Sequence, residues 1–182
     1  MGGDERLRLF LAIRLPGDTL DELERWQHSE LRDVRIVPRD HLHVTLAFLG
    51  HRPARELDPI AGALREAAAG ARQIRLTPVR YRETRSVGML VLADADGSAT
   101  ALAGDLQERL ERLGVCGREP RPWLPHVTVA RWRERPWLHP APPPDRTFVP
   151  SDAAAYLSQL RPGGAEYSVL HSVALGLNVG GE

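Results

Sequence analysis

The sequence predicts an α+β fold. It is read as a bilobal, pseudo-twofold duplicated fold, with two antiparallel sheets lining a central cleft and helices outside. Three observations carry this expectation. Strand-like and helix-like segments alternate in each half of the 182 residues without a regular βαβ cadence. One five-residue motif occurs twice, nearly half a chain apart. Each copy sits on a strand-like run that follows a helix-like one. A chain of this length can bury a sizeable core, so a single domain over residues 1–182 is expected, each lobe contributing one motif strand.

The elements follow in order. RLRLFLAIR (6–14) runs apolar and alternates, as a strand does, until Pro16-Gly17-Asp18 breaks it. Thr19 and Glu22 have the spacing of a capping box for a helix carrying Leu20, Leu23 and Trp26. A strand is expected at 42–49, ended by Gly50, then a helix at 55–70 through Leu57, Ile60, Ala61, Leu64 and Ala68. Strands at 73–80 and 87–93 close on the turn Asp94-Ala95-Asp96-Gly97. The strongest amphipathic pattern, Leu102, Leu106, Leu110 and Leu113, predicts a helix over 98–113 ended by Gly114. A strand at 126–131 follows the stiff Glu119-Pro120-Arg121-Pro122, and the proline-rich 133–146 reads as loop. Strands at 153–160 and 166–175 are joined by the turn Arg161-Pro162-Gly163-Gly164.

Composition narrows the chemistry. Basic and acidic residues balance at 24 each, which argues against a bulk nucleic-acid coat protein but leaves room for a local basic cleft. All 24 basic residues are arginine, so Schiff-base chemistry, lysyl-nucleotide ligation and a lysine P-loop are excluded. A single cysteine, Cys116, permits no intrachain disulfide and fits a reducing compartment. No apolar run is long enough for a targeting segment or a membrane span, so a soluble, cytoplasmic protein without membrane partners is expected.

His43-Val44-Thr45-Leu46-Ala47 returns as His126-Val127-Thr128-Val129-Ala130. One His-x-Thr is a weak motif; two with matching flanks are not readily accidental. Strand alternation puts His43 and Thr45 on one face and Val44, Leu46 and Phe48 on the other, and treats His126 and Thr128 the same way. Aliphatic side chains can then anchor each strand in a core while two imidazoles and two hydroxyls meet across a pseudo-twofold axis. Such a pocket suits a phosphate. The hydroxyls donate to non-bridging oxygens, one neutral imidazole takes a proton from water, and the other, charged, gives one to the departing sugar oxygen. No metal or other cofactor is required if the ester is activated, as a strained cyclic phosphodiester is.

The segments RLFLAIRLP (8–16), HLHVTLAFLG (41–50), PHVTVAR (125–131) and YLSQLRPGGAEYSVL (156–170) resemble the RNA 2',3'-cyclic phosphodiesterases. These were first called 2'-5' RNA ligases and belong to the two-histidine (2H) phosphoesterase superfamily. The resemblance implies metal-independent opening of RNA 2',3'-cyclic phosphate ends to 2'-phosphomonoesters, with reversible 2'-5' ligation as the back reaction. It implies His43 as proton donor, His126 as proton acceptor, and Thr45 and Thr128 as phosphate-holding groups. The expected partners are RNA ends or nucleotides bearing the cyclic phosphate, and the expected state is a monomer. Many members carry a Phe-Pro pair and a Trp in the mid-chain strands, where this chain has Tyr81-Arg82-Glu83-Thr84-Arg85 and Val87-Gly88-Met89-Leu90, so base contacts do not transfer.

Further substrate-binding candidates are Arg131, Arg121 and His41. Alternation aims Arg131 away from His126 unless the strand bends there. Arg118, Arg121, Arg133 and Arg135 flank the second motif and could guide an RNA backbone. His41-x-His43 could be a metal pair, but no third ligand accompanies it. Trp123 and Trp132 are weighed as base-stacking surfaces against core packing. His28, His51, His139 and His171 show no partner pattern. Two other functions compete: a phosphodiesterase acting on another cyclic or 2'-5' nucleotide, and a non-catalytic nucleotide- or RNA-binding module.

Overall fold

The computed structural model describes residues 5–176. Its strands are β1 (Arg6–Arg14), β2 (Arg35–Ile36), β3 (His43–Pro53), β4 (Thr77–Glu83), β5 (Val87–Ala93), β6 (His126–Arg131), β7 (Asp152–Arg161) and β8 (Gly164–Ala174). The helices are α1 (Gly17–Glu30), α2 (Leu57–Gly70) and α3 (Ser98–Arg112). Every strand pairing is antiparallel, in the order β4-β5-β6-β3-β1-β7-β8, with β2 added against β6. The α+β class with antiparallel sheet and helices outside is what the structure has. The two expected sheets are halves of one continuous sheet, joined where Val44 pairs with Val127. These are equivalent positions of the two motif copies, so the strand order reads symmetrically outward from this seam: β3 answers β6, β1 answers β5, and β7 answers β4.

The apolar run of β1 is buried on both faces. Leu9, Leu11 and Ile13 join Leu23, Ile60, Leu64, Leu102, Leu106 and Leu110 of the helices in the main core. Phe10 and Ala12 face the other way and join Ala154 and Tyr156 in a second cluster. The helices thus cover one face of the sheet, and the opposite face is left for the cleft. Among the described residues no helix is long and apolar enough to cross a membrane.

Several boundaries differ from expectation. Thr19 is not a helix cap: the cap position is Pro16, three residues earlier, whose ring fixes φ at the helix entry, and Thr19 is buried inside α1. Gly50 does not end β3. It takes a left-handed φ of 67° at a bulge, and the strand continues to Pro53. The first mid-chain strand spans 77–83 instead of 73–80, because Leu76 is drawn off to pair with Phe148. The short strand β2 was not anticipated.

Candidate active site

A cavity of about 480 Å³ opens on the helix-free face, and His43, Thr45, His126 and Thr128 all line it. Their meeting follows from the seam. With Val44 opposite Val127, the four residues flanking those valines share the opposite face of the sheet, in a two-by-two array across β3 and β6. Cross-strand neighbours in such an array lie about 4.5–5.5 Å apart at Cβ, close enough for several side chains to touch one small anion.

The two histidines are held by the same device. Nδ1 of His43 lies 2.7 Å from the His41 carbonyl, and Nδ1 of His126 lies 2.8 Å from the Leu124 carbonyl. A carbonyl only accepts, so each ring carries a hydrogen at Nδ1 and leaves Nε2 as the nitrogen able to take or give a proton. Nε2 of His43 is 3.0 Å from Thr45 Oγ1. Thr128 has no side-chain partner among the described residues. Beneath His43, Phe10 stacks at 4.9 Å between ring centres and itself stacks on Tyr156 at 4.8 Å. Burial against this aromatic floor is the main reason the His43 imidazole is pushed down to about 4, with His41, Arg131 and His126 adding like-charge repulsion and the His41 carbonyl opposing the fall.

Strand bulges add a residue to each half. The β1–β3 register skips Leu46, and the β5–β6 register skips Val129. Both stand three places after a motif histidine. An extra residue reverses the alternation beyond it, so the fifth residue after each histidine swings to the cleft face. These residues are Phe48 and Arg131, and both line the cavity. Phe48 therefore does not sit in the core as alternation predicts: it is 58% exposed, with the Arg8 guanidinium 5.1 Å from its ring centre. Arg131 reaches the site because its strand does bend.

His41 also lines the cavity, its ring stacked on Tyr167 at 4.2 Å. Arg121 does not line it; the residue is exposed on the segment before β6, with its backbone amide on Glu119. Arg118 is exposed outside the cavity as well, and Arg135 is engaged by Glu83 and by the Trp137 ring. The two tryptophans are structural. Trp123 donates to the Thr45 carbonyl across the seam, and Trp132 donates to the Thr84 carbonyl. The phenyl and phenol rings that line the cavity are instead those of Phe10, Phe48 and Tyr167. His171 lies 4.0 Å from Asp58, away from the cavity.

Gln27 is a contributor that sequence reasoning missed. Its fully buried side chain donates 3.0 Å to the Val37 carbonyl and 2.9 Å to that of Val129, the bulged residue. It pins the bend that delivers Arg131. A lone glutamine on the buried stripe of an amphipathic helix was the available signal.

Comparison with known proteins agrees with this fold. The chain is 28% identical to an RNA 2',3'-cyclic phosphodiesterase of Escherichia coli, over 94% of this chain and 98% of that protein. It is 32% identical to one of Thermus thermophilus, covering 93% and 90%. Among solved structures, Escherichia coli LigT complexed with 3'-AMP superposes with a TM-score of 0.82 at 26% identity, over 94% of this chain and 99% of that one. A Thermus thermophilus protein superposes at 0.81 with 27% identity, over 94% and 100%. The family description "2'-5' RNA ligase superfamily" matches residues 15–159, a span that holds both motif strands and the seam between them, and to that superfamily this chain belongs.

Proposed function

We propose that this protein hydrolyses RNA 2',3'-cyclic phosphate ends to 2'-phosphomonoesters by metal-independent acid–base catalysis, and that 2'-5' joining of RNA ends is the reverse of that reaction. The observation that carries the reading is the pair of Nδ1-anchored imidazoles sharing one cavity with two threonine hydroxyls. Thr45, Thr128 and Arg131 hold the non-bridging oxygens of the cyclic phosphate. His126 Nε2 removes a proton from water as its oxygen bonds to phosphorus. The bond from phosphorus to the 3'-oxygen breaks, and His43 Nε2 gives that oxygen its proton. The ring opens to a 2'-monoester, and solvent exchange returns the proton from one imidazole to the other.

Burial keeps His43 neutral in the free protein, so the proton the pair shares must reach it with the substrate. The phosphate anion supplies the charge that stabilises the imidazolium there. Once loaded, an imidazolium in so unfavourable a setting is a strong acid toward a departing alkoxide. The pair works with one proton between its two rings. Its loss of activity in acid therefore begins where the second proton goes onto His43. We expect kcat/KM to hold well below pH 6.5 and to fall through about pH 4. A rate profile whose acid limb lies at the ordinary histidine value would show that His43 is not the group titrating.

The direct test is to incubate the purified protein with a cyclic-ended oligoribonucleotide in EDTA and map the product. A 2'-monoester is the expected result; a 3'-monoester, or turnover only on added metal, would refute the proposal. We take the place of action to be the cytoplasm, in keeping with the half-buried Cys116 thiol, and the working unit to be one chain, since a single chain contributes all four motif side chains.

A further inference from the structure

One pair of charges remains unexplained by a single phosphate. The β2–β6 register places Arg35 directly opposite Arg131. Like charges at opposed positions repel and destabilise a strand pair. Neither guanidinium has a hydrogen-bond or ion-pair partner among the described residues. Both line the catalytic cavity, and both also line a second groove of about 450 Å³ that continues from it between Asp33–Arg35 and Arg131–Pro136. Arg133 adds a third unpaired guanidinium to that groove, against the carboxylates of Asp33 and Glu134. Arg35 also extends toward the β7–β8 turn, where a methyl group built on Gly164 would come within 3.0 Å of its Nη2. It lines both openings, and Arg131, not Arg35, is the guanidinium close enough to His43 to repel its charged ring.

We infer that Arg35 binds a second phosphate of the substrate, the one that links the cyclic-ended nucleotide to its predecessor, and that the groove beyond it carries the upstream RNA chain. This rests on the phosphodiesterase reading above. The chemistry of the substrate selects the assignment. A nucleotide closed as a 2',3'-cyclic phosphate has both of those oxygens occupied, so it continues into a chain only through its 5'-oxygen. The next anion is therefore the 5'-phosphate. Arg131, the nearer to His43, serves the scissile phosphate, while its cross-strand neighbour meets the next charge along. The repulsion between the two arginines is relieved when each has its own phosphate.

The test compares three substrates: a nucleoside 2',3'-cyclic phosphate, the same nucleoside with an added 5'-phosphate, and a cyclic-ended hexaribonucleotide. Wild type is set beside Arg35→Gln, with Arg112→Gln on the exposed face of α3 as a control for net charge. For Arg35→Gln, kcat/KM on the hexamer and the 5'-phosphorylated nucleoside should fall about tenfold further than on the plain nucleoside, chiefly through KM. The slope of log KM against log salt for the hexamer should shrink by about 0.7, the share of one phosphate contact on a single strand. Arg112→Gln should show neither change. Equal losses on all three substrates would place Arg35 at the scissile phosphate and overturn the inference, as would undiminished discrimination. A loss on the 5'-phosphorylated nucleoside with none on the hexamer would overturn the RNA path.

If wild type opens no ring, the phosphodiesterase reading fails separately. The groove is then read by fluorescence anisotropy with a labelled hexamer ending in a 2'-phosphate. Weaker binding by Arg35→Gln supports the groove, and unchanged binding overturns it.

Discussion

Replacing either His43 or His126 with alanine lowers kcat on a cyclic-ended oligonucleotide by about a hundred- to ten-thousandfold, the range that one positioned proton-transfer group contributes. The two losses are of similar size on the natural leaving group, because ring opening needs both transfers. They separate on a substrate whose leaving group needs no proton. With an aryl phosphodiester, the variant lacking the acid recovers most of its rate, while the variant lacking the base does not. On the proposed roles, His43→Ala is rescued and His126→Ala stays inactive. The reverse pattern would exchange acid and base while leaving the site intact; wild-type rates in both variants would remove the imidazoles from the mechanism altogether. The anchoring of both Nδ1 atoms matters here, because either ring can present only Nε2 to the reacting oxygens.

Gln27→Leu carries the largest expected cost in stability. The leucine is close in volume, but it leaves the Val37 carbonyl without its glutamine donor and strips one of two donors from the Val129 carbonyl, which also accepts from the Val37 amide at 2.9 Å. A buried polar group deprived of its partner costs about 1–3 kcal/mol. Removing the unpaired Oε1 of Gln27 returns part of this. A net loss of about 2 kcal/mol corresponds to a fall in Tm of roughly 4–8 °C for a chain of this size. Thermal unfolding followed by circular dichroism measures it. An unchanged Tm would mean that the bulge holds without the amide.

The motif strands were legible in the sequence because two copies of the same spacing are hard to produce by chance, and alternation alone puts His43, Thr45, His126 and Thr128 on a common face. Alternation then misplaces Phe48 and leaves Arg131 undecided. A bulge inserts one residue without any local marker in the sequence; Leu46 and Val129 are ordinary strand residues. The tryptophans near the second motif were open between base stacking and packing, and the indole N–H groups of Trp123 and Trp132 are spent on the backbone carbonyls of Thr45 and Thr84. Long-range partners of this kind do not show in residue order. The helices were found through their leucine spacing, and only their ends moved. Pro16 outweighed Thr19 at the start of α1 because its fixed φ suits the helix entry, and Asp18 Oδ1 accepts from the Thr19 amide within the first turn. β2, two residues long, has no periodicity to detect.

The paired bulges bear on how a nucleotide lies in the cleft. A twofold frame, taken by itself, would admit a ligand in either of two head-to-tail orientations with equal ease. Here the two corresponding corners hold a phenyl ring on one side and a guanidinium on the other. That single mismatch gives the binding site a polarity, one end hospitable to a flat heterocycle and the other to negative charge.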